Sequence, residues 1–223
     1  MIAGNKIVLS PSTLNLFLEC PKCFWLQEVR RIHRPKGPFP SLPGGMDAVI
    51  KKYFDQFREK GTLPPFLKVK GQLVDENLIR EWRNNRKGLR WLDPNTRAEL
   101  MGALDDCLVD EGRYIPIDYK TRGWLIKEDS HTYYQNQLDC YTLLLEKNDF
   151  PANNFAYLIF WSPKEVREDN LVNFTIEPVG VETDPQRALK IFRSAVETLA
   201  GPLPKHHSTC GFCAWGNDFL NFE

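Results

Sequence analysis

The chain has 223 residues, 42% of them hydrophobic, with 29 basic and 29 acidic side chains and no net charge. That length suits one domain with a real core, and the balanced charge gives no global signal for a nucleic-acid partner. No run approaches the ~18–20 apolar residues of a membrane span. The start lacks the charged segment and long apolar stretch of a signal peptide, so a cytoplasmic protein is expected. In chain order, residues 10–31 read as one capped helix carrying Cys20 and Cys23. Proline and glycine crowd residues 33–44, a linker-like stretch. Residues 46–60 read as an amphipathic helix closed by Gly61 and Pro64-Pro65, and 66–97 hold a short strand around Leu67–Leu73 and a basic helix. Met101–Val109 reads as a half-buried strand, and Asp110-Glu-Gly-Arg113 as a turn with Gly112 available for a positive φ. Tyr114–Lys120 reads as the returning strand, with Pro116 where no ladder bond is needed.

A helix follows from about Asp129 to Asn148, capped by Asp129 or Ser130, with Tyr134, Leu138, Tyr141, Leu144 and Leu145 as its apolar stripe. Phe155–Trp161 is a short continuous apolar run, read as a central strand, and Leu171–Glu182 alternates as another. Asp184-Pro185 opens the last helix, which ends before Gly201-Pro202. This order predicts an α/β layer with a mixed central β-sheet flanked by helices. The expected organisation is a single domain over 1–223: an N-terminal helical region (1–97), a core (98–182), and a C-terminal helix with a cysteine tail (183–223).

Two acids and a lysine carry the chemistry. Asp118 and Lys120 are two apart on a strand and share a face, and the hairpin can bring Asp105 close to them. Carboxylates in such a pair suit Mg²⁺ or Mn²⁺, with the Tyr119 backbone carbonyl as a further hard oxygen ligand. A divalent ion there activates water and neutralises developing charge, and the lysine supports the nucleophile or transition state of phosphodiester cleavage. Gln137 and Tyr141 are four apart on the following helix and face one way, placed to position a phosphate or water. Taken alone, Gln137 is a solvated helix residue and Tyr141 a core residue.

The ordered set Gly102/Asp105, Asp118-Tyr-Lys-Thr121 and Gln137/Tyr141 resembles the PD-(D/E)XK nuclease superfamily, in its RecB-like branch with the CRISPR-associated exonucleases and AddB nuclease domains. The opening Leu9-Ser-Pro-Ser through Cys20-Pro-Lys-Cys-Phe-Trp25 is similar to the same branch. The resemblance spans residues 9–213. It implies a restriction-endonuclease-like core, hydrolysis of DNA phosphodiesters, and catalytic roles for Asp105, Asp118, Lys120, Gln137 and Tyr141. It further implies an exonuclease acting on single strands or ends in repair, recombination or spacer acquisition, with a helicase or integrase-type protein as partner. The branch also carries a histidine on an early helix as a metal ligand. Residues 44–54 contain none, and Asp47 is the nearest acidic substitute, either as a ligand or as the cap of that helix. Glu99 is another acid nearby, for which a surface role is expected.

Four of the six cysteines form two C-x-x-C pairs, Cys20/Cys23 and Cys210/Cys213. Four thiolates suit tetrahedral zinc, with His206 and His207 as spare ligands, or an iron–sulfur cluster. Four free buried thiols are the plain alternative. The resemblance implies a [4Fe-4S] cluster, although the branch has one N-terminal and three C-terminal cysteines where this chain has two and two. Either metal would staple the first helix to the C-terminal tail. Cys107 and Cys140 are expected as ordinary buried thiols.

Two basic segments are candidates for DNA contact: Arg30, Arg31, His33, Arg34 and Lys36, and Arg80, Arg83, Arg86, Lys87 and Arg90 with Trp82 and Trp91 interleaved. Arg122, beside the D-x-K motif, joins them. Such segments track a phosphate backbone and stack single-stranded bases, or are simply solvated faces. Two further readings stand beside the exonuclease: a metal-stapled nucleic-acid-binding module without catalysis, and a structure-specific endonuclease on the same fold.

Overall fold

A computed structural model describes residues 6–37 and 41–220, so the middle of the proline-rich stretch (38–40) and both extreme ends lie outside the described residues. After strand β1 (Val8–Leu9), Ser10 caps α1 (Pro11–Glu19) in a reciprocal capping box with Thr13. The helix predicted over 10–31 is two helices. Pro21 has no N–H and pushes Cys20 out of helical conformation. Cys20 is accordingly extended (φ −163°, ψ 105°) and becomes the N-cap of α2 (Pro21–Arg30).

Helix α3 (Ser41–Glu59) begins earlier than 46, because Pro43 is tolerated in a first turn. Gly61, at φ +63°, closes it, and the Thr62 N–H donates to the Phe57 carbonyl at 3.0 Å. Strand β2 (Gln72–Leu73) is followed by α4 (Glu76–Trp82), capped by Asp75. The predicted basic helix stops there. Asn84 Oδ1 accepts the Arg86 and Lys87 amides, and Gly88 turns the chain at φ +53°, so Arg90 and Trp91 lie in strand β3 (Leu89–Leu92).

The strand predicted over 101–109 is also broken. Its first part is β4 (Glu99–Gly102), which pairs with β1 in parallel and β3 antiparallel to form a small three-stranded sheet. Its second part is β5 (Asp106–Asp110) in a different sheet. Asp105 sits in the gap. Strand β6 (Arg113–Thr121) returns through Glu111-Gly112, both at positive φ, a primed two-residue hairpin. A 3₁₀ turn (Ser130–Tyr134) then leads into α5 (Gln135–Lys147). Ser130 caps nothing; its hydroxyl accepts the Lys127 amide. Helix α5 carries the chain over to β7 (Phe155–Val166), parallel to β6, and β8 (Val172–Glu182) pairs antiparallel with β7. Asp184 caps α6 (Pro185–Ala200), and a last helix that the sequence did not announce, α7 (Gly211–Leu220), ends the described chain.

The main sheet is therefore mixed, in the order β2-β5-β6-β7-β8. Strand parity sorts its two faces. Leu158 and Phe160 point to a core with α5 and α6, where Leu138, Leu144 and Phe192 are fully buried. Ile117, Tyr119, Ile159 and Trp161 point to the opposite core with Ile50 and Phe54 of α3. The same parity puts Asp118 and Lys120 on the α5 side.

Candidate active site and cysteine cluster

Asp118, Lys120, Gln137 and Tyr141 come together in one hydrogen-bonded group. Gln137 Nε2 donates to Asp118 Oδ1 at 2.9 Å and to the Tyr141 hydroxyl at 2.7 Å, while Lys120 Nζ donates to Gln137 Oε1 at 3.1 Å. The glutamine thus ties both ends of the D-x-K motif to α5. Gly102 lets that helix approach: a methyl there would stand 2.8 Å from Leu144 Cδ1 and 3.2 Å from the Tyr141 ring. Lys120 also lies over the Tyr134 ring, 4.5 Å from its centre.

Asp105 joins from the gap between the sheets, its Oδ2 accepting the Tyr119 amide at 3.0 Å. The buried Asp118 Oδ2 faces the Lys120 ammonium, with Nζ at 2.5 Å. Burial, opposed by the Lys120 charge and reinforced by Asp105, pushes the Asp118 carboxyl up to about 7. Two close carboxylates, one of them buried, fit a divalent cation, which would neutralise both. A cleft of about 390 Å³, lined by Ser10, Ser12, Asn15, Asn85, Gln137 and Tyr141, opens beside this group.

Helix α3 supplies a residue that the sequence reading missed. Lys51 Nζ lies 2.8 Å from Asp105 Oδ1 and 2.8 Å from Asp47 Oδ2. Asp47 is inside α3 and does not cap it, since the helix already starts at Ser41. It reaches Asp105 through Lys51. The i,i+4 spacing of Asp47 and Lys51, on the early helix that carries no histidine, is the one local signal for it in the sequence.

Beneath Asp105 lies a second ionic group. Asp106 is fully buried and accepts both 2.7 Å bonds from Arg58, one of 2.9 Å from Arg83 and one of 2.8 Å from the Tyr119 hydroxyl. Arg83 also donates to the Asp105 carbonyl at 2.7 Å and to Asp55. Arg83 is therefore turned inward, and its expected contact with DNA is replaced by a bridge that fixes the Asp105 backbone. Trp82 is likewise buried, packed against Tyr114 and Phe150, and offers no stacking surface. Glu99 is buried too, paired with Lys6 and Arg90 rather than solvated.

The other basic residues are spread. Arg30 covers the Trp25 ring, and Arg31 ends α2 in the left-handed region with its head exposed. Arg86 and Lys87 are exposed on the turn after α4. Arg122 lies over Phe160, with one guanidinium nitrogen unpartnered. Arg34 faces the cysteines, with Nη2 3.6 Å from Cys210 Sγ and Nη1 2.6 Å from Glu19.

Cys20, Cys23, Cys210 and Cys213 converge, all four sulfurs within 4.8 Å of one another, a group able to bind a metal. His206 and His207 bond to neighbouring loop atoms and stay outside it. Cys107 and Cys140 are fully buried in the main core, as expected. An apolar groove of about 760 Å³ lies beside the four cysteines rather than beside the carboxylates.

The mixed sheet thus presents a buried acid, a half-buried one and a lysine to a flanking helix. The family model of the PD-(D/E)XK nuclease superfamily matches residues 46–217, and the chain belongs to that superfamily. Its members hydrolyse phosphodiester bonds with divalent metals, so nucleic acid is the substrate class. A solved structure titled "Crystal structure of SSO0001" is similar over 96% of this chain and 87% of that one, with a TM-score of 0.54 and 11% identity, a likeness of fold. No curated protein matches. Among the described residues no helix is long and apolar enough to cross a membrane.

Proposed function

We propose that the protein is a Mg²⁺- or Mn²⁺-dependent deoxyribonuclease of the RecB-like branch, working from the ends of single-stranded DNA. The observation that carries this reading is the buried Asp118 carboxylate beside Asp105, with Lys120 on the same strand face. Asp105 and Asp118 would hold the ion, with the Tyr119 carbonyl and Asp47 as further oxygen donors. The ion supplies Lewis-acid stabilisation of charge on the phosphate. Lys120 holds the attacking water or stabilises the pentavalent transition state. Gln137 orients Lys120 and Asp118 against each other, and Tyr141 fixes Gln137. Arg30, Arg31, Arg86, Lys87 and Arg122 hold the phosphate backbone.

The whole chain acts as one domain. The resemblance supports a role in repair, recombination or CRISPR adaptation, a helicase or integrase-type partner, a cytoplasmic location, and a [4Fe-4S] cluster or structural Zn²⁺ at the cysteines. One observation favours a second reading, a DNA-binding module without catalysis: Lys51 already neutralises Asp105 from the helix that carries no histidine.

Cleavage of end-labelled single-stranded DNA with Mn²⁺, beside Lys120→Ala, separates the two. Metal-dependent cleavage that the variant loses supports the nuclease; binding without cleavage supports the module. Closed circles stay intact with an exonuclease, and their opening would identify an endonuclease.

A further inference from the structure

The four cysteines are arranged with an internal symmetry. Cys20 is the N-cap of α2 and Cys23 its third residue; Cys210 immediately precedes α7 and Cys213 is its third residue. Two helix starts thus face each other, each offering a pair of thiols and a positive dipole end. The sulfurs are close: 3.8 Å for Cys20–Cys213, 3.7 Å for Cys23–Cys210 and 3.6 Å for Cys23–Cys213, with every pair within 4.8 Å.

Those separations test the candidate metals. A tetrahedral ion with bonds of about 2.3 Å holds its sulfurs about 3.8 Å apart. A cubane puts four irons between its thiolates and spreads them to about 6 Å. The widest pair here falls short of that. Cys20, Cys23 and Cys210 are buried on short helix starts, so admitting a cubane requires α2 and α7 to move apart. We infer that this site holds one tetrahedral Zn²⁺ and not the [4Fe-4S] cluster that the family resemblance implies.

Charge agrees. Four thiolates around a dication leave two negative charges. The Arg34 guanidinium beside Cys210, with its Nε otherwise unpartnered, and the two helix starts compensate them. The site is then a redox-silent closure joining the two ends of the fold. This inference does not rest on the nuclease reading, since metal content is measured without DNA.

The test is to express the full chain with added iron and cysteine, purify it without oxygen, and measure metals and acid-labile sulfide. The expected result is about one zinc per chain, no sulfide, no absorbance band near about 400 nm, and four sulfur neighbours at about 2.3 Å by zinc-edge X-ray absorption. Iron and sulfide near four each per chain would overturn the inference. So would one iron without sulfide, or a metal-free folded chain. Cys213→Ser, at the most exposed ligand, should weaken zinc binding at least tenfold. If that variant does not fold, Co²⁺ exchange into the native chain should give the thiolate charge-transfer and tetrahedral d–d bands. Their absence counts against the site.

Discussion

The two candidate metal centres are built on opposite plans. The cysteine site is closed in its ligand set: four like ligands, mostly buried, from two helix starts, with the Arg34 guanidinium beside Cys210. The carboxylate site is open: two acids of unequal burial, a lysine on each side of the pair, and a cleft alongside. Closed four-ligand sites stabilise folds, while catalytic sites keep a position free for substrate. Removing each metal should therefore damage a different property. A strong thiol-competing chelator, or Cys210→Ser, should lower the melting temperature sharply. Closing a loop from Cys23 to Cys210 is worth about 5 kcal/mol in lost chain entropy alone. A thermal scan that shifts little would mean that α2, α6 and their shared core hold the ends together without the staple.

Lys120→Ala should behave in the reverse way. The lysine meets Asp118, Gln137 and the Tyr134 ring near the end of β6. Losing one preorganised charge at the transition state costs about 10²–10³ in kcat, with the melting temperature nearly unchanged. A large loss of stability together with activity would show that Lys120 chiefly neutralises Asp118, and the division between closed and open sites would fail.

The third effect depends on pH. The Asp118 carboxyl ionises near its ordinary 3.8 in the unfolded chain but only at about 7 in the folded one. Between those values the folded chain holds the extra proton, so metal-free stability should fall as pH rises, by about 1.4 kcal/mol per unit. Above pH 7 the cost is constant. Asp118→Asn should lack this slope and melt higher than the native chain at pH 8, and Mg²⁺ should narrow the difference by compensating the charge. Chemical denaturation at pH 5 and pH 8 measures it. A flat native profile would mean that Lys120 already compensates the ionised form.

The two ends of this design were legible in the sequence and the middle was hidden. Strand parity put Asp118 and Lys120 together, and helical spacing put Gln137 with Tyr141, because both periods are local. The cysteine convergence was legible from two C-x-x-C pairs, although sequence gives no sulfur separations and hence no metal identity. Three features escaped because they depend on distant partners. Pro21 splits the first helix, which turns Cys20 from a helix residue into a cap. The strand around Asp105 breaks because Gly102 admits α5 and Arg83 binds the Asp105 carbonyl. Arg83 and Trp82 looked like a DNA-facing basic and aromatic segment. Asp106, 23 positions away, draws the arginine inward, and Tyr114 and Phe150 enclose the indole. A charge run in sequence carries no information about which buried acid answers it.

Lys51 offers the finest test of what open means here. Its ammonium sits 2.8 Å from an oxygen of Asp105 and of Asp47, where it competes with any cation that needs those carboxylates. Burial disfavours its charge, but Asp105 and Asp47 outweigh that and raise its pKa, so it stays charged across the neutral range. Lys51→Met keeps the length of the stem and removes the competitor. Repulsion between this charge and a divalent ion a few ångströms away, in a partly screened site, is worth at least one factor of ten in affinity. The variant should therefore bind Mn²⁺ about tenfold more tightly by calorimetry, with Asp105 and Asp47 both freed for it. Weaker binding would reverse the role of Lys51. It would then hold Asp105 in position, and the acid pair would be organised by a lysine before any metal arrives.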